Sequence, residues 1–189
     1  MTVRRLHRAG WLIAFATSFA LPPLAQAQSA SPRVLVAQAG GGGQPNLLGT
    51  FGDWGAYSAN SSGHKVCFAL SKPASSQTSP NRPRDPAYMF ISSRPAENVL
   101  NEVSIIIGYS FKPNTDATVE IGSAKFSMYT QNDGAWIKNA AEEARMVEAM
   151  RKSGDLVVKG TSSRGTQSTD RYSLKGLGQA LDRTAQECK

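Results

Sequence analysis

The sequence predicts a mainly β fold, an all-β sandwich decorated by two short helices, one mid-chain and one C-terminal. Three observations point there. Apolar residues recur with period two in many short runs between residues 50 and 128, and again over 156–174. Two late segments switch to helical spacing with start and stop signals of their own. The two cysteines, Cys67 and Cys188, fall one on a strand-like run and one on the last helical stripe.

In chain order, residues 1–27 carry Arg4, Arg5 and Arg8 without an acid, and an apolar run over 11–20 follows. A Leu21-Pro22-Pro23-Leu24 break then leads to Ala25-Gln26-Ala27. A positive start, a short apolar run and an A-x-A site make a cleavable secretory signal peptide, cut after Ala27. The run is shorter than the about 20 residues that span a bilayer, so no integral membrane segment is expected after signal removal. The location implied is periplasmic or secreted. Residues 28–48, with Gly40-Gly41-Gly42-Gly43, read as a flexible Gly/Ser/Gln-rich linker, and 49–189 as a single β-sandwich domain. Losing the three signal arginines takes 21 basic residues to 18 against 14 acids, and the charge from +7 to +4. These charges are scattered, with no basic cluster of the kind that binds nucleic acid.

The first strand is expected over 50–57. Val66, Phe68 and Leu70 share one face of the next, with Lys65, Cys67 and Ala69 on the other. Residues 88–93 form a further strand. Val103, Ile105, Ile107, Tyr109 and Phe111 alternate across the longest run. Val119 with Ile121, and Phe126 with Met128, flank a tight turn at Gly122-Ser123. Residues 156–161 and 168–174 read as a hairpin around Ser163-Arg164-Gly165-Thr166.

Asn139 followed by Glu142 resembles a capping box, with Ala140, Ala141, Ala144 and Val147 expected on the buried face. Glu148 supports Lys152, and Gly154 stops the helix. At the C-terminus Leu177, Leu181, Thr184 and Cys188 recur at helical spacing, so Cys188 faces inward, where a strand cysteine can meet it. In an oxidising compartment two cysteines imply one disulfide, Cys67–Cys188; two buried free thiols are the alternative. Residues 72–86 hold Pro73, Pro80, Pro83 and Pro86 with Arg82 and Arg84. They read as a loop, either a solvated connector or a partner-binding segment. Replacing both arginines by Ala is expected to leave folding intact.

Chemistry is sparse. The chain after residue 27 has one histidine, His64, whose side chain leaves a strand on the face opposite Cys67, and a bridged cysteine has no thiolate to offer. There is no nucleophile elbow, phosphate loop, dinucleotide fingerprint or Cys/His cluster, so no enzyme activity, cofactor or metal is expected. Glu142-Glu143 reads as a solvated face, and Asp53 as a turn residue beside Trp54. The candidate partner-binding residues are Arg82, Arg84, Trp54, Trp136 and Arg164. The tryptophans offer flat faces to a sugar, though core and edge packing is the plainer reading. The hydroxyl-rich 161–169 stretch offers hydrogen bonds to a glycan, against an ordinary exposed hairpin.

Taken together, Phe51-Gly52-Asp53-Trp54, Val66-Cys67-Phe68-Ala69, Gly160-Thr161-Ser162-Ser163-Arg164-Gly165-Thr166, Tyr172-Ser173-Leu174-Lys175-Gly176 and Ala180-Leu181 … Cys188 resemble the invasion-associated locus B family of alphaproteobacterial exported proteins. The resemblance runs from about Leu48 to Cys188. It implies an immunoglobulin-like sandwich in the periplasm or envelope and, for pathogenic members, a part in host-cell entry. It brings no catalytic residues. Members often carry a cysteine four residues after the Trp, where this chain has Ser58, and further cysteines late in the chain, where it has Cys188. The expected function is a non-catalytic binding or envelope-interaction protein whose partner is a protein or glycan of the envelope or host surface. The alternatives are a hydrolase of envelope polymers and a structural or stress-protective periplasmic protein.

Overall fold

The computed structural model describes residues 44–189. The expected signal peptide and residues 28–43 of the expected linker lie outside the described residues. The strands are β1 (Asn46–Phe51), β2 (Trp54–Ser61), β3 (His64–Ser71), β4 (Ser75–Ser79), β5 (Tyr88–Arg94), β6 (Val99–Ile106), β7 (Ala117–Ile121), β8 (Ala124–Gln131), β9 (Gly134–Trp136), β10 (Asp155–Thr161) and β11 (Gln167–Ser173). Helix α1 (Ala140–Arg151) precedes β10, and α2 (Leu177–Glu187) follows β11.

The strands form one antiparallel sheet in the order β1-β2-β3-β5-β6-β9-β8-β7-β10-β11-β4. It turns at β8. Residues Ala124 to Met128 pair with β7, and Tyr129 to Gln131 pair with β9. The two halves thereby bring their apolar faces onto one core, a sandwich-like arrangement. Trp54, Met89, Ile91, Val103 and Ile105 come from the first half, and Val119, Phe126, Met128, Leu156, Val158 and Tyr172 from the second.

Period-two burial is clearest in β5, β7 and β11. Four expectations are corrected. The linker ends earlier than residue 48, since Asn46, Leu47 and Leu48 lie in β1. The single strand over 50–57 is two strands joined at Gly52, whose φ of +55 turns the chain. The run from Val103 to Phe111 is a strand only to Ile106. It breaks at Gly108, where φ is +81 and a Cβ would stand 2.0 Å from the Asp85 carbonyl oxygen. Ile107 and Phe111 nevertheless stay buried, so the alternation marked burial rather than ladder pairing. The proline-rich 72–86 loop contains β4, which pairs with β11 from Gln167↔Ser79 to Arg171↔Ser75. Its sequence SSQTS has no apolar rhythm because main-chain bonds, not burial, hold it.

In α1 the Asn139 side chain accepts from the Glu142 N–H at 2.9 Å, as an N-cap should. Its buried residues are Met146, Val147 and Met150. Ala140, Ala141 and Ala144 are exposed, because the long methionines reach the core where alanines cannot. Glu143 closes a gap in the sheet. Along β6 the short β9 covers only Ser104 to Ile106, and the Val103 N–H beyond it donates to the Glu143 carboxylate at 2.7 Å. In α2, Leu177, Leu181 and Thr184 are buried as the stripe requires, with Ala180. Cys188 is bonded to Cys67, with a Cα–Cα distance of 5.9 Å, and an exposed Lys65–Glu187 bridge lies alongside.

Candidate functional site

The sequence-derived candidates divide into three groups. Trp54 is corrected to a core residue: it is fully buried, and its Nε1–H donates to the Ser173 carbonyl at 3.0 Å. Trp136 stacks on Tyr129 with centroids 5.7 Å apart and covers Gly134, whose missing Cβ leaves room for the ring. It sits away from the three arginines, which converge on one end of the sandwich.

There a cleft of about 490 Å³ opens between three segments. The first follows β4 and carries Arg82, Pro83, Arg84 and Asp85; the second holds Gly108, Tyr109 and Ser110 just past β6; the third is the β10–β11 turn, with Ser162, Arg164 and Thr166. A neighbouring hollow of about 460 Å³, lined by Ser76, Gln77 and Asn81, shares Thr78, Arg82 and Arg84 with it. Local bonds shape each wall. Thr78 Oγ1 accepts from the Arg82 N–H at 2.9 Å and donates to the Arg82 carbonyl at 3.2 Å. The Ser162 Oγ accepts from the Thr166 N–H at 3.1 Å, and Gly165 turns the hairpin at φ +82. The Asp85 N–H donates to the Gly108 carbonyl at 3.1 Å, joining the first two walls.

The arginines differ in electrostatic role. Arg84 is corrected from a surface group to the cleft's buried floor. Its Nη2 is paired with the Oδ1 of Asp170, and the two side chains are 10% and 0% exposed. It also donates to the Ile107 carbonyl at 2.6 Å and to the Ser76 Oγ at 3.0 Å, and its guanidinium lies 5.8 Å from the centroid of Tyr109. A buried charge needs this degree of matching. Asp170 Oδ2 and Tyr172 Oη have no hydrogen-bond partner among the described residues. Burial raises the Tyr172 hydroxyl well above its ordinary value, and raises Tyr109 against the opposing bond to Ser168, 2.6 Å long. Arg82 and Arg164 are exposed and make no ion pair among the described residues. With Arg84 neutralised by Asp170, they set a positive potential that Asp85 offsets in part. The arrangement can bind an anion by paired guanidinium donors.

Sequence reasoning picked out Arg82 and Arg84 together and Arg164 apart from them. It missed Tyr109, Asp170 and the hydroxyls of Thr78 and Ser110. The one available signal was Asp170, a carboxylate at an inward position of an alternating strand.

The model of the family described as "Invasion associated locus B (IalB) protein" matches residues 54–185. The chain belongs to the invasion-associated locus B family. The family match takes in Trp54, Cys67 and every cleft residue, and ends before Cys188. Comparison with curated proteins gives no match. Among solved structures, the crystal structure of invasion associated protein B from Bartonella henselae is similar, with a TM-score of 0.53 at 16% identity. The similarity covers 77% of this chain and 97% of that one. It supports the β-rich fold of this invasion-associated locus B member and assigns no role to a residue. No helix among the described residues is long and apolar enough to cross a membrane.

Proposed function

We propose that this chain is an exported, non-catalytic binding protein. Its signal peptide is cut after Ala27, and it acts in the periplasm or outside the cell. It engages an anionic component of the envelope or of a host surface, a role that fits the host-cell entry suggested by the family's name. The observation that carries this reading is that Arg82 and Arg164 line one cleft from two of its walls, both exposed and both without an acid partner among the described residues. An exposed guanidinium with no acid partner can take a carboxylate or phosphate in bidentate fashion. The hydrolase alternative calls for two acids converging in a cleft. Here Asp85 is the carboxylate on the wall, and Asp170 lies beneath Arg84.

The test is the Arg82→Ala/Arg164→Ala double variant. Its thermal midpoint should match the wild type, since neither side chain is buried or paired. Its sedimentation with envelope or host-surface fractions should fall, and wild-type binding should weaken as salt rises. Equal binding by the two proteins at low salt would refute the reading.

A further inference from the structure

We propose that the ligand of this cleft is a saccharide unit bearing a sulfate or phosphate group. The inference rests on the binding reading above and names its ligand class. Charge comes first. Arg84 and Asp170 neutralise each other in the floor, leaving Arg82 and Arg164 against the single carboxylate of Asp85. The cleft therefore attracts one compact anionic group, and guanidinium donors match the oxygens of a sulfate or phosphate.

Size then separates a bare anion from a substituted one. At about 490 Å³ the cleft lies within the roughly 300–1,000 Å³ range of small-molecule sites, well beyond what one tetrahedral anion fills. The character of the remaining wall selects the rest of the ligand. Ser110 and Ser163 are exposed hydroxyls, and Thr166 stands beside them. Hydroxyls donate and accept alike, as a polyol's recognition requires. Tyr109 adds the part of its half-buried ring that the Arg84 guanidinium, 5.8 Å from the centroid, leaves uncovered, its position fixed by its Oη–Ser168 Oγ bond and by edge contact with Phe111, centroids 5.5 Å apart. A pyranose presents both surfaces, hydroxyls at its rim and C–H groups on its face. Neither a carboxylate peptide side chain nor free phosphate uses all three.

Isothermal titration calorimetry of the purified protein with N-acetylglucosamine 6-sulfate, N-acetylglucosamine 6-phosphate, unmodified N-acetylglucosamine and inorganic phosphate tests this. At least one charged sugar should bind at least tenfold more tightly than both the neutral sugar and inorganic phosphate. The Arg82→Ala/Arg164→Ala variant, with unchanged thermal midpoint, should lose that tenfold advantage. Preference for the sulfate ester upholds the proposal and points to host-surface glycans; preference for the phosphate ester, or equal binding, upholds it with envelope polymers as a source. Inorganic phosphate binding as tightly as the esters would overturn it, and so would undiminished ester binding by the double variant. If neither ester binds while the double variant still loses envelope or host-surface fractions, the saccharide inference falls and the binding reading stands. If the variant keeps those fractions, the binding reading falls too.

Discussion

Arg84→Ala is the most informative single perturbation, because sequence and structure disagree about its outcome. Placed beside Arg82 in a proline-rich stretch, Arg84 reads as a surface group whose loss costs nothing. Among the described residues it is the only ion-pair partner of Asp170, which is fully buried and there already has one oxygen without a hydrogen bond. Removing the guanidinium leaves that carboxylate unpaired and takes a donor from the Ile107 carbonyl. Breaking a buried pair from one side costs about 3–5 kcal/mol. For a domain of this size each kcal/mol lowers the midpoint by roughly 2–4 °C, so the fall should be about 6–20 °C. Urea unfolding followed by circular dichroism measures the loss directly. Arg82→Ala, two residues away, should sit within about 0.5 kcal/mol of the wild type. The double variant Arg84→Met/Asp170→Leu supplies the control. With no charge stranded, it should recover most of the loss, as apolar replacements of buried pairs often do. The reasoning fails if Arg84→Ala unfolds like the wild type, or if the double variant loses as much as the two single variants combined.

Three further outcomes follow from other parts of the molecule. Cys188→Ser should lower stability by about 2–5 kcal/mol, the chain-entropy value for a separation of 121 residues being near the upper end; free thiols titrated in the unreduced, unfolded protein would refute the bond. Gly176→Ala should be destabilising by at least about 1–3 kcal/mol, since φ is +89 and a Cβ would meet the Phe51 carbonyl oxygen at 1.9 Å; an unchanged thermal midpoint would contradict it. Burial raises the Glu143 carboxyl above the ordinary glutamate range, against its bond from Val103. Stability tied to it is therefore full below the ordinary range and is lost as pH rises through the raised value. Glu143→Gln, which keeps the acceptor, should gain on the wild type between pH 4 and pH 8; a gap that is constant or shrinks with pH in urea unfolding would sink this account.

Local rhythm made the ladders legible. Alternation located β5, β7 and β11, and helical spacing with a cap located α1 and placed Cys188 on the inward side of α2. What stayed hidden was held by other forces. β4 coheres through main-chain bonds to β11 and carries no apolar signature. The β1–β2 hairpin turns on the backbone of Gly52, inside what reads as one extended run. The cleft was legible only in pieces. Arg82 and Arg84 look alike in sequence, and the difference between them is made by Asp170, 86 residues from Arg84. Arg164 meets them because β4 lies against β11, a pairing that no local pattern announces.

The Cys67–Cys188 bond also decides what a protease can do to this molecule. It closes a covalent ring that contains every strand from β4 to β11 and both helices. The exposed residues around Arg82 and Arg164, which protrude at the cleft, lie inside that ring, and exposed loop tips are where nicking concentrates. One cut there opens the ring without freeing a fragment, and the nicked chain keeps its mass until a reductant arrives. Cleavage and loss of the domain become separate events in an oxidising compartment. The cleft end of the sandwich can then be clipped while its strands remain tied to the rest of the sheet.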